Sequence, residues 1–524
     1  MASGCTQCET LPNATPWTLV RCHRLMKSNE APNSIELAFM RPVMSKISAR
    51  LTSIGDERAR LKARLDHLDA EQADLSEYQT LHAPIVAPIR RIPPEVLNEI
   101  FSWTLPSIHE LKGNVSDLGQ PWRRICVSNP SFWSLVVATY RSFQAREHPS
   151  RAMIQTQVQR ARNLQIHFFG AEDEAAHTQA QVKLFKILST HSARWVELNI
   201  TLTKALAPHV AALRGRLPVL RKIWTHWDSE YDIDFSANAA DPLGSCFQTA
   251  PSLVDAGGQW HDIPMRFPAH QLTAYRAESP WWMHEGVLNT ATNLVEARIC
   301  TDSASEQVPP ASHDTQVITM PHLRRLVVNR SSMLGYLRAP VLSEIGFVVE
   351  KEDPRPDLDA FVTRSSCAPW RLYLEGLPGA DITEDILRKR ASIASLRLVF
   401  TLSDDTPFED SDLSDAVVAH LTMLTHGTAP PVSPNLTEIS LGAQLSFPID
   451  YPLFLKMLES RRNPRYALRS AAFLTGYWGP DPDPVTAERL ALLGKTELSL
   501  LVESGRDAGN RMEVWSGASP SAWS

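Results

Sequence analysis

The sequence has 524 residues, of which 43% are hydrophobic and 21% charged, and its net charge is −6. Single cores stop growing near ~250–300 residues, so this length excludes one compact core and favours several domains or a repetitive architecture. The acidic balance argues against nucleic acid as the main partner, because phosphate-binding surfaces have a basic excess.

The first segment, residues 1–35, is predicted to be disordered. It lacks the charged start and apolar core of a secretory signal, and no later run approaches the ~18–20 apolar residues that span a bilayer. The seven cysteines are scattered and odd in number, which suits reduced thiols. We therefore expect an intracellular protein, cytoplasmic or nuclear, without a membrane partner. Cys5, Cys8, Cys22 and His23 form a zinc-like set, but adjacent Cys22 and His23 would strain to bind one ion, so no metal is expected.

Residues 36–82 are predicted to form an amphipathic heptad helix, which Pro84 ends. Apolar residues recur there at alternating steps of 4 and 3, with Arg58 and Gln72 at two of the expected positions. The apolar set is Ile47, Leu51, Ile54, Leu61, Leu65, Leu68 and Leu75. Two interpretations remain open: an oligomerising coiled coil, or an amphipathic helix that packs on its own chain.

The next element lies in "PIRRIPPEVLNEIFSWTL", residues 88–105. Pro93 and Pro94 suit a helix start, and Glu95 lies at the positive end of the helix dipole. Apolar residues follow at Val96, Leu97, Ile100, Phe101 and Trp103. A helix of about ten residues is not stable alone in water, so its apolar face must pack against other helices or a partner.

A second apolar stretch, "WRRICVSNPSFWSL" at residues 122–135, follows it. Together with "IPPEVLNEIF" it resembles the F-box, and the heptad helix before "PIRRIPPEVL" makes the resemblance closest to fungal F-box proteins of the mushroom type. The similarity covers residues 28–140 well. Residues 106–121 are shorter than the corresponding part of the family, so the second helix of the box is shortened.

The resemblance implies a three-helix module over residues 85–140 that docks on the Skp-type adaptor of a cullin-RING ubiquitin ligase. By position, the implied adaptor-binding residues are Pro93, Val96, Leu97, Ile100, Phe101, Trp122, Ile125 and Trp133. For Pro93 and Leu97 the interface is the favoured interpretation. Ile100 and Trp133 fit the interface and the core of the module equally well.

Residues 150–505 carry a recurring pattern: apolar, two others, apolar, one other, apolar. It occurs at residues 294–299, 323–328, 342–347, 393–398 and 436–441, and more weakly at 195–200, 220–225 and 272–277. The alternating half predicts a short strand. Helical stretches between these copies share apolar faces, as at Val182, Phe185 and Leu188; Ile382 and Ile386; Leu413, Val417, Leu421 and Leu424; and Phe454, Met457 and Leu458.

Strand followed by helix at a variable step indicates an irregular leucine-rich repeat. The predicted fold class is therefore α/β: a long helix and a three-helix F-box, then a solenoid with a curved parallel sheet and outer helices. Residues 506–524 are expected to be a flexible tail. Contact positions on the concave side of the sheet would include Glu296, Arg298, Arg325 and Glu438.

No phosphate loop, dinucleotide fingerprint or hydrolase motif is present, and His284 beside Trp281 is interpreted as packing. We therefore expect no catalysis and no cofactor. The predicted function is that of a substrate receptor, with the F-box holding the adaptor and the repeat domain holding an unknown target protein. The alternative is a repeat-based interaction scaffold whose shortened box no longer binds the adaptor.

Overall fold

A computed structural model describes residues 25, 27, 29–86, 88–104, 127–140, 151–172, 175–227, 243–260, 265–301, 316–349, 353–401, 410–425, 432–443, 450–462, 466–476, 482–495 and 498–516. The chain divides into two compact units, residues 1–97 and 98–524. Most of the segment expected to be disordered, and all of the zinc-like set, lie outside the described residues.

The first unit is dominated by a 53-residue helix, α1 (Ser34–Val86). A capping box fixes its start: the Glu36 amide donates to the Asn33 side chain, and the Asn33 amide donates to the Glu36 carboxylate, both at 2.8 Å. The predicted helix is confirmed, and it is longer than residues 36–82.

The prediction that Pro84 ends α1 is wrong, because the helix continues to Val86 and also contains Pro42. Each proline removes one backbone hydrogen bond. The residues four positions earlier, Ala38 and Thr80, are exposed, so the carbonyls that the prolines leave unbonded lie on residues open to solvent.

A 3-10 turn, Pro88–Arg91, follows, and then α2 (Pro94–Thr104) begins at the proline pair, as predicted. Residues 105–126, which include the shortened second helix of the predicted box, lie outside the described residues.

The second unit is built on strands that follow one another along the chain. Their bounds are β1 Leu135–Thr139, β2 Leu164–Phe169, β3 Trp195–Leu202, β4 Lys222–Trp227, β5 Asp255–Gln259, β6 Ala274–Glu278, β7 Glu296–Cys300, β8 Ile318–Thr319, β9 Arg325–Val328, β10 Leu337–Arg338, β11 Glu344–Val349, β12 Arg371–Gly376, β13 Ser395–Phe400, β14 Glu438–Ala443, β15 Ser470–Thr475 and β16 Ser499–Ser504. Fourteen of these described strands form one parallel sheet in chain order, and β8 pairs with β10 separately.

Helices connect many of these strands. They are α3 Arg151–Arg160, α4 Ala175–Ser189, α5 Ala207–Ala211, α6 Trp281–Leu288, α7 Arg355–Ser365, α8 Ala380–Lys389, α9 Asp410–Leu424, α10 Tyr451–Ser460, α11 Pro484–Gly494 and α12 Arg506–Ser516. The main core lies between the sheet and helices α3 to α11. It joins strand residues such as Leu374 and Leu398 to helix residues such as Phe361, Leu421 and Phe454.

All eight copies of the recurring pattern contain strands, which confirms that part of the prediction. In seven copies the strand begins two residues after the first apolar residue, as Glu296 follows Leu294. That leading residue is buried in the core in every strong copy: Leu294, Leu323, Leu342, Ile393 and Leu436 are at most 3% exposed. The pattern therefore describes a core anchor, a turn into the strand and the strand itself.

Two predicted boundaries need correction. The F-box module was expected to reach residue 140, but residues 135–139 are β1, paired in parallel with β2. Residues from 506 onward were expected to be flexible, but Arg506–Ser516 is a helix in which Met512 is fully buried.

Candidate functional site

The sheet has a second face, opposite the main core, formed by the side chains that alternate with the core residues. In β12, for example, Leu372 and Leu374 belong to the main core, whereas Tyr373 belongs to a separate small cluster. Because side chains alternate along a strand, Arg371 and Glu375 lie on the same side as Tyr373. This second face is the described counterpart of the surface predicted to meet a partner.

One register row across the second face carries alternating charge, and we call it the charge row. In sheet order its charged members are Glu197, Lys222, Asp255, Glu296, Arg325, Glu344, Arg371 and Glu438. Opposite charges that face each other across neighbouring strands stabilise their pairing. Wherever two charged members of the row lie on directly paired strands, their charges are opposite.

Ala274 interrupts the row between Asp255 and Glu296, which are both acidic. Arg276, two residues further along the same strand, fills the gap. Its guanidinium donates to Asp255 at 2.8 Å and to Glu296 at 2.7 Å. One cation thus bridges two carboxylates that would otherwise repel each other.

Ser395 occupies a second interruption, between Arg371 and Glu438. Its hydroxyl accepts from Arg371 Nε at 3.0 Å and donates to Glu438 at 2.8 Å. Arg371 also reaches Glu438 directly at 3.0 Å and Glu344 at 2.9 Å, while Arg397 donates to Glu438 at 3.1 Å. This part of the row is a continuous network.

Two carboxyl groups respond differently to this environment. Burial raises the pKa of Glu438, but the hydrogen bond from Ser395 and the Arg397 guanidinium outweigh it, so the pKa lies below its ordinary value. For Asp255 burial is the larger effect, and its pKa is raised despite Arg276. Of these two carboxyl groups, Glu438 therefore holds its negative charge more firmly than Asp255.

Helix α12 lies on the second face. Its Ala508 and Met512 form an apolar cluster with Val327, Tyr373, Val399 and Leu474. At Gly442 a Cβ atom would lie 2.5 Å from Met512 Sδ, so the absence of a side chain there makes room for the helix.

The end of α12 is also held by the arginines of the second face. Arg325 donates to the backbone carbonyl of Trp515, and the Arg397 guanidinium lies 5.6 Å from the centre of the Trp515 ring. Such cation–π contacts contribute about 0.5–2 kcal/mol. Part of the second face is thus covered by the chain itself.

The four contact positions predicted from sequence do share the second face. Arg298 pairs with Glu375 at 3.1 Å, and Glu296, Arg325 and Glu438 belong to the charge row. The sequence analysis did not identify Glu197, Lys222, Asp255, Arg276, Glu344, Arg371 or α12. A signal was available for most of the row, because the third residue of six of the eight pattern copies is a charged member.

The residues predicted to bind the adaptor differ in how far they are exposed to solvent. Pro93 is exposed, and the side chains of Val96 and Ile100 are 48% and 39% exposed. Leu97 is only 5% exposed, so the expectation that its side chain is open to a partner is wrong. The side chain of Phe101, and all of Trp122 and Ile125, lie outside the described residues.

Trp133 belongs to the second unit's core. It is half-buried, packs against the main core and lies 4.5 Å beneath the Arg160 guanidinium. It precedes β1 by two residues, the position that Leu294 holds before β7. With Val136 and Ala138 it completes the recurring pattern, so the core interpretation, left open from sequence, fits Trp133 better than the interface.

Metal ligands and membrane-spanning helices would also be recognisable in the described part of the chain. There, no group of three or more His, Cys, Asp or Glu residues is arranged to hold a metal ion, and no helix is long and apolar enough to cross a membrane. No protein-family model matches the chain, and a search of curated proteins finds no similar sequence. The fold and the second face define a mixed α/β protein built on a serial parallel sheet.

Proposed function

We propose that the protein is the substrate-receptor subunit of a cullin-RING ubiquitin ligase, with α2 docking on a Skp-type adaptor. The observation that carries this proposal is the exposure of Val96 and Ile100. They are spaced four residues apart, so they lie on one side of α2, and they stand in the sequence that resembles the F-box. Exposed apolar side chains on one side of an 11-residue helix form a surface that a partner protein can bury.

The burial of Leu97 changes which variants test this. An aspartate at Leu97 would place a charge in a buried position and unfold the helix, so loss of binding would be uninformative. Val96→Asp and Ile100→Asp place the same charge on the exposed side. Each is expected to reduce co-purification of recombinant Skp-type adaptor at least tenfold, because a docked aspartate would lose its water.

Val485→Asp in α11 is the matched control, since Val485 is 68% exposed and undergoes the same substitution. It should capture as much adaptor as the wild type. Adaptor binding that survives both α2 substitutions would refute docking through α2.

The repeat domain would present the target. The parallel sheet, its chain-order strands and its outer helices support a leucine-rich-repeat interpretation, and the charge row gives the second face a fixed pattern of alternating charge. Such a pattern selects partners by electrostatic complementarity and steers their approach. Affinity for a trapped target should therefore fall as salt rises.

A second candidate function is an interaction scaffold that does not engage the adaptor. Two observations favour it: Leu97, a central docking residue by resemblance, is buried, and no family model matches the box. Wild-type protein that captures no adaptor while still binding a target would select this function.

A further inference from the structure

An extended uncovered surface of the described chain lies along α1. Every residue from Met44 to Ala83 is exposed, over a length of roughly 60 Å. The seven apolar residues of the heptad pattern are 43–64% exposed, so the described chain does not cover them. Single exposed apolar residues are common, but a regular stripe of this length indicates an interaction surface.

We propose that this stripe binds a second copy of the same chain, as a parallel, in-register, two-stranded coiled coil. The proposal goes beyond the ligase function and does not depend on it. In heptad notation, position d is taken by Ile47, Ile54, Leu61, Leu68 and Leu75. Position a is taken by Met44, Leu51, Arg58, Leu65 and Gln72.

The charges that flank the stripe identify the partner. In a parallel pair, position g of one helix faces position e of the next heptad of the other helix. Glu57 (g) would then face Lys62 (e) of the second copy, and Arg64 (g) would face Asp69 (e). Two-fold symmetry doubles each pair, giving four attractive contacts and no like-charge contact among these positions.

An antiparallel pair fits less well. In an antiparallel pair, position g of one helix faces position g of the other. One such register places Arg64 against Arg64 and another places Glu57 against Glu57, so both bring like charges together. The register that opposes Glu57 to Arg64 also sets Arg58 against Leu61 and Gln72 against Ile47, each twice by symmetry. Four of the ten core layers between residues 44 and 75 would then pair a polar residue with an apolar one. In the parallel register only two layers contain polar residues, Arg58 against Arg58 and Gln72 against Gln72.

Arg58 favours a coiled coil of two helices over one of three or four. Isoleucine at d, as at Ile47 and Ile54, favours larger bundles, but a charged residue at a opposes them. In a dimer the Arg58 stem covers the apolar stripe while its guanidinium reaches water. A trimer would enclose three guanidinium groups.

Glu57 already pairs with Arg60 of its own helix at 2.8 Å. Both side chains are more than half exposed, and such pairs contribute only about 0–1 kcal/mol, so this contact does not prevent a bridge to the second copy.

The test is light scattering coupled to size-exclusion chromatography on the full-length chain, with sedimentation equilibrium for the dissociation constant. We expect a mass of twice the 58.5 kDa chain. Leu65→Asp should give a monomer, whereas Ala63→Asp, the same charge on the side away from the stripe, should leave the dimer intact. A wild-type monomer, a trimer or tetramer, or a dimer that survives Leu65→Asp would overturn the proposal.

Charge exchange tests the register. Glu57→Lys should weaken the dimer about tenfold, because it turns two attractive contacts into repulsive ones. Adding Lys62→Glu should restore affinity to within about threefold. In the attractive antiparallel register the introduced lysine would face Arg64, and the second change would not rescue it. Arg60→Ala, which removes only the contact within the helix, should leave the dissociation constant unchanged; a large effect there, or failure of the rescue, would overturn the parallel register.

Discussion

At the scale of single residues, His284 is a structural imidazole. It is fully buried in α6, where Nε2 donates to the Cys300 carbonyl and Nδ1 accepts from the Tyr275 hydroxyl, both at 3.0 Å. Burial lowers the pKa of His284 to about 4, although the contact with Cys300 opposes the shift. The packing interpretation of this histidine fits these contacts.

This lowered pKa predicts acid sensitivity. The unfolded chain binds a proton at His284 below about pH 6.5, but the folded chain does so only near pH 4, so stability falls between these values. His284 alone should lower the free energy of unfolding by about 2 kcal/mol between pH 7 and pH 5. Urea titrations should show a smaller loss in His284→Gln, which keeps a donor and an acceptor but does not titrate. Equal losses in both proteins would contradict this.

Arg461 is a second buried polar residue with a structural role. It is 2% exposed, and its guanidinium donates to the carbonyls of Leu424, Val432 and Ser433 at 2.8–3.3 Å. It thereby ties the end of α9 to the approach to β14.

Arg461→Met removes the guanidinium donor from all three buried carbonyls, of which only that of Ser433 keeps a second donor, the Leu436 amide at 3.3 Å. We expect a loss of about 3 kcal/mol in the free energy of unfolding, measured by urea titration. Arg462→Met, at the exposed neighbouring residue, should change stability by less than about 0.5 kcal/mol. A similar loss in both variants would show that the three hydrogen bonds contribute little.

At the scale of elements, every strand that the sequence predicted has a large apolar residue at the first position of the recurring pattern and at one or both of the later positions. Strand β5 was missed because Ala256 and Gly258 replace large residues, and β12 because Pro369 stands where the leading leucine belongs. Helix α12 was missed because its partners on the second face, such as Val327 and Leu474, are distant in sequence. Local periodicity carries no information about such contacts.

The burial of Met512 predicts how α12 is released. Met512→Asp should detach the helix from the second face, because a charge cannot replace a thioether in this apolar cluster. Trp515 fluorescence should shift to longer wavelength and protease cleavage within α12 should rise about tenfold or more. Val514→Asp is the control, since Val514 is 38% exposed on the same helix; equal effects of both changes would argue against this packing.

At the scale of the whole molecule, the composition and the recurring pattern predicted a parallel sheet flanked by helices, and the second unit has one. The position of the first strand was not predicted, because Trp133 fits both the F-box pattern and the repeat pattern. The charge row was only partly predicted, since its complementarity depends on strand register. Register is set by the core anchors of all the strands together, so single copies do not reveal it.

Because the strands pair in chain order, the sheet also predicts how far a local loss of stability extends. Leu374 is fully buried in β12, in the interior of the sheet, whereas Val136 is buried in β1 at its end. Leu374→Ala should lower local stability by about 2–5 kcal/mol and accelerate amide hydrogen exchange in strands on both sides. Val136→Ala should accelerate exchange chiefly in β1 and β2. Uniform acceleration along the sheet in either variant would indicate a single cooperative unit instead.

The position of α12 has a consequence for any ligand that uses the strands beneath it. Such a ligand must compete with α12, which is part of the same chain and always present. Its apparent dissociation constant is therefore the intrinsic constant divided by the fraction of molecules in which α12 is detached. If the detached form makes up about 1% of molecules, binding is weakened about a hundredfold. Truncating the chain before Arg506 would then tighten binding by the same factor without adding a contact.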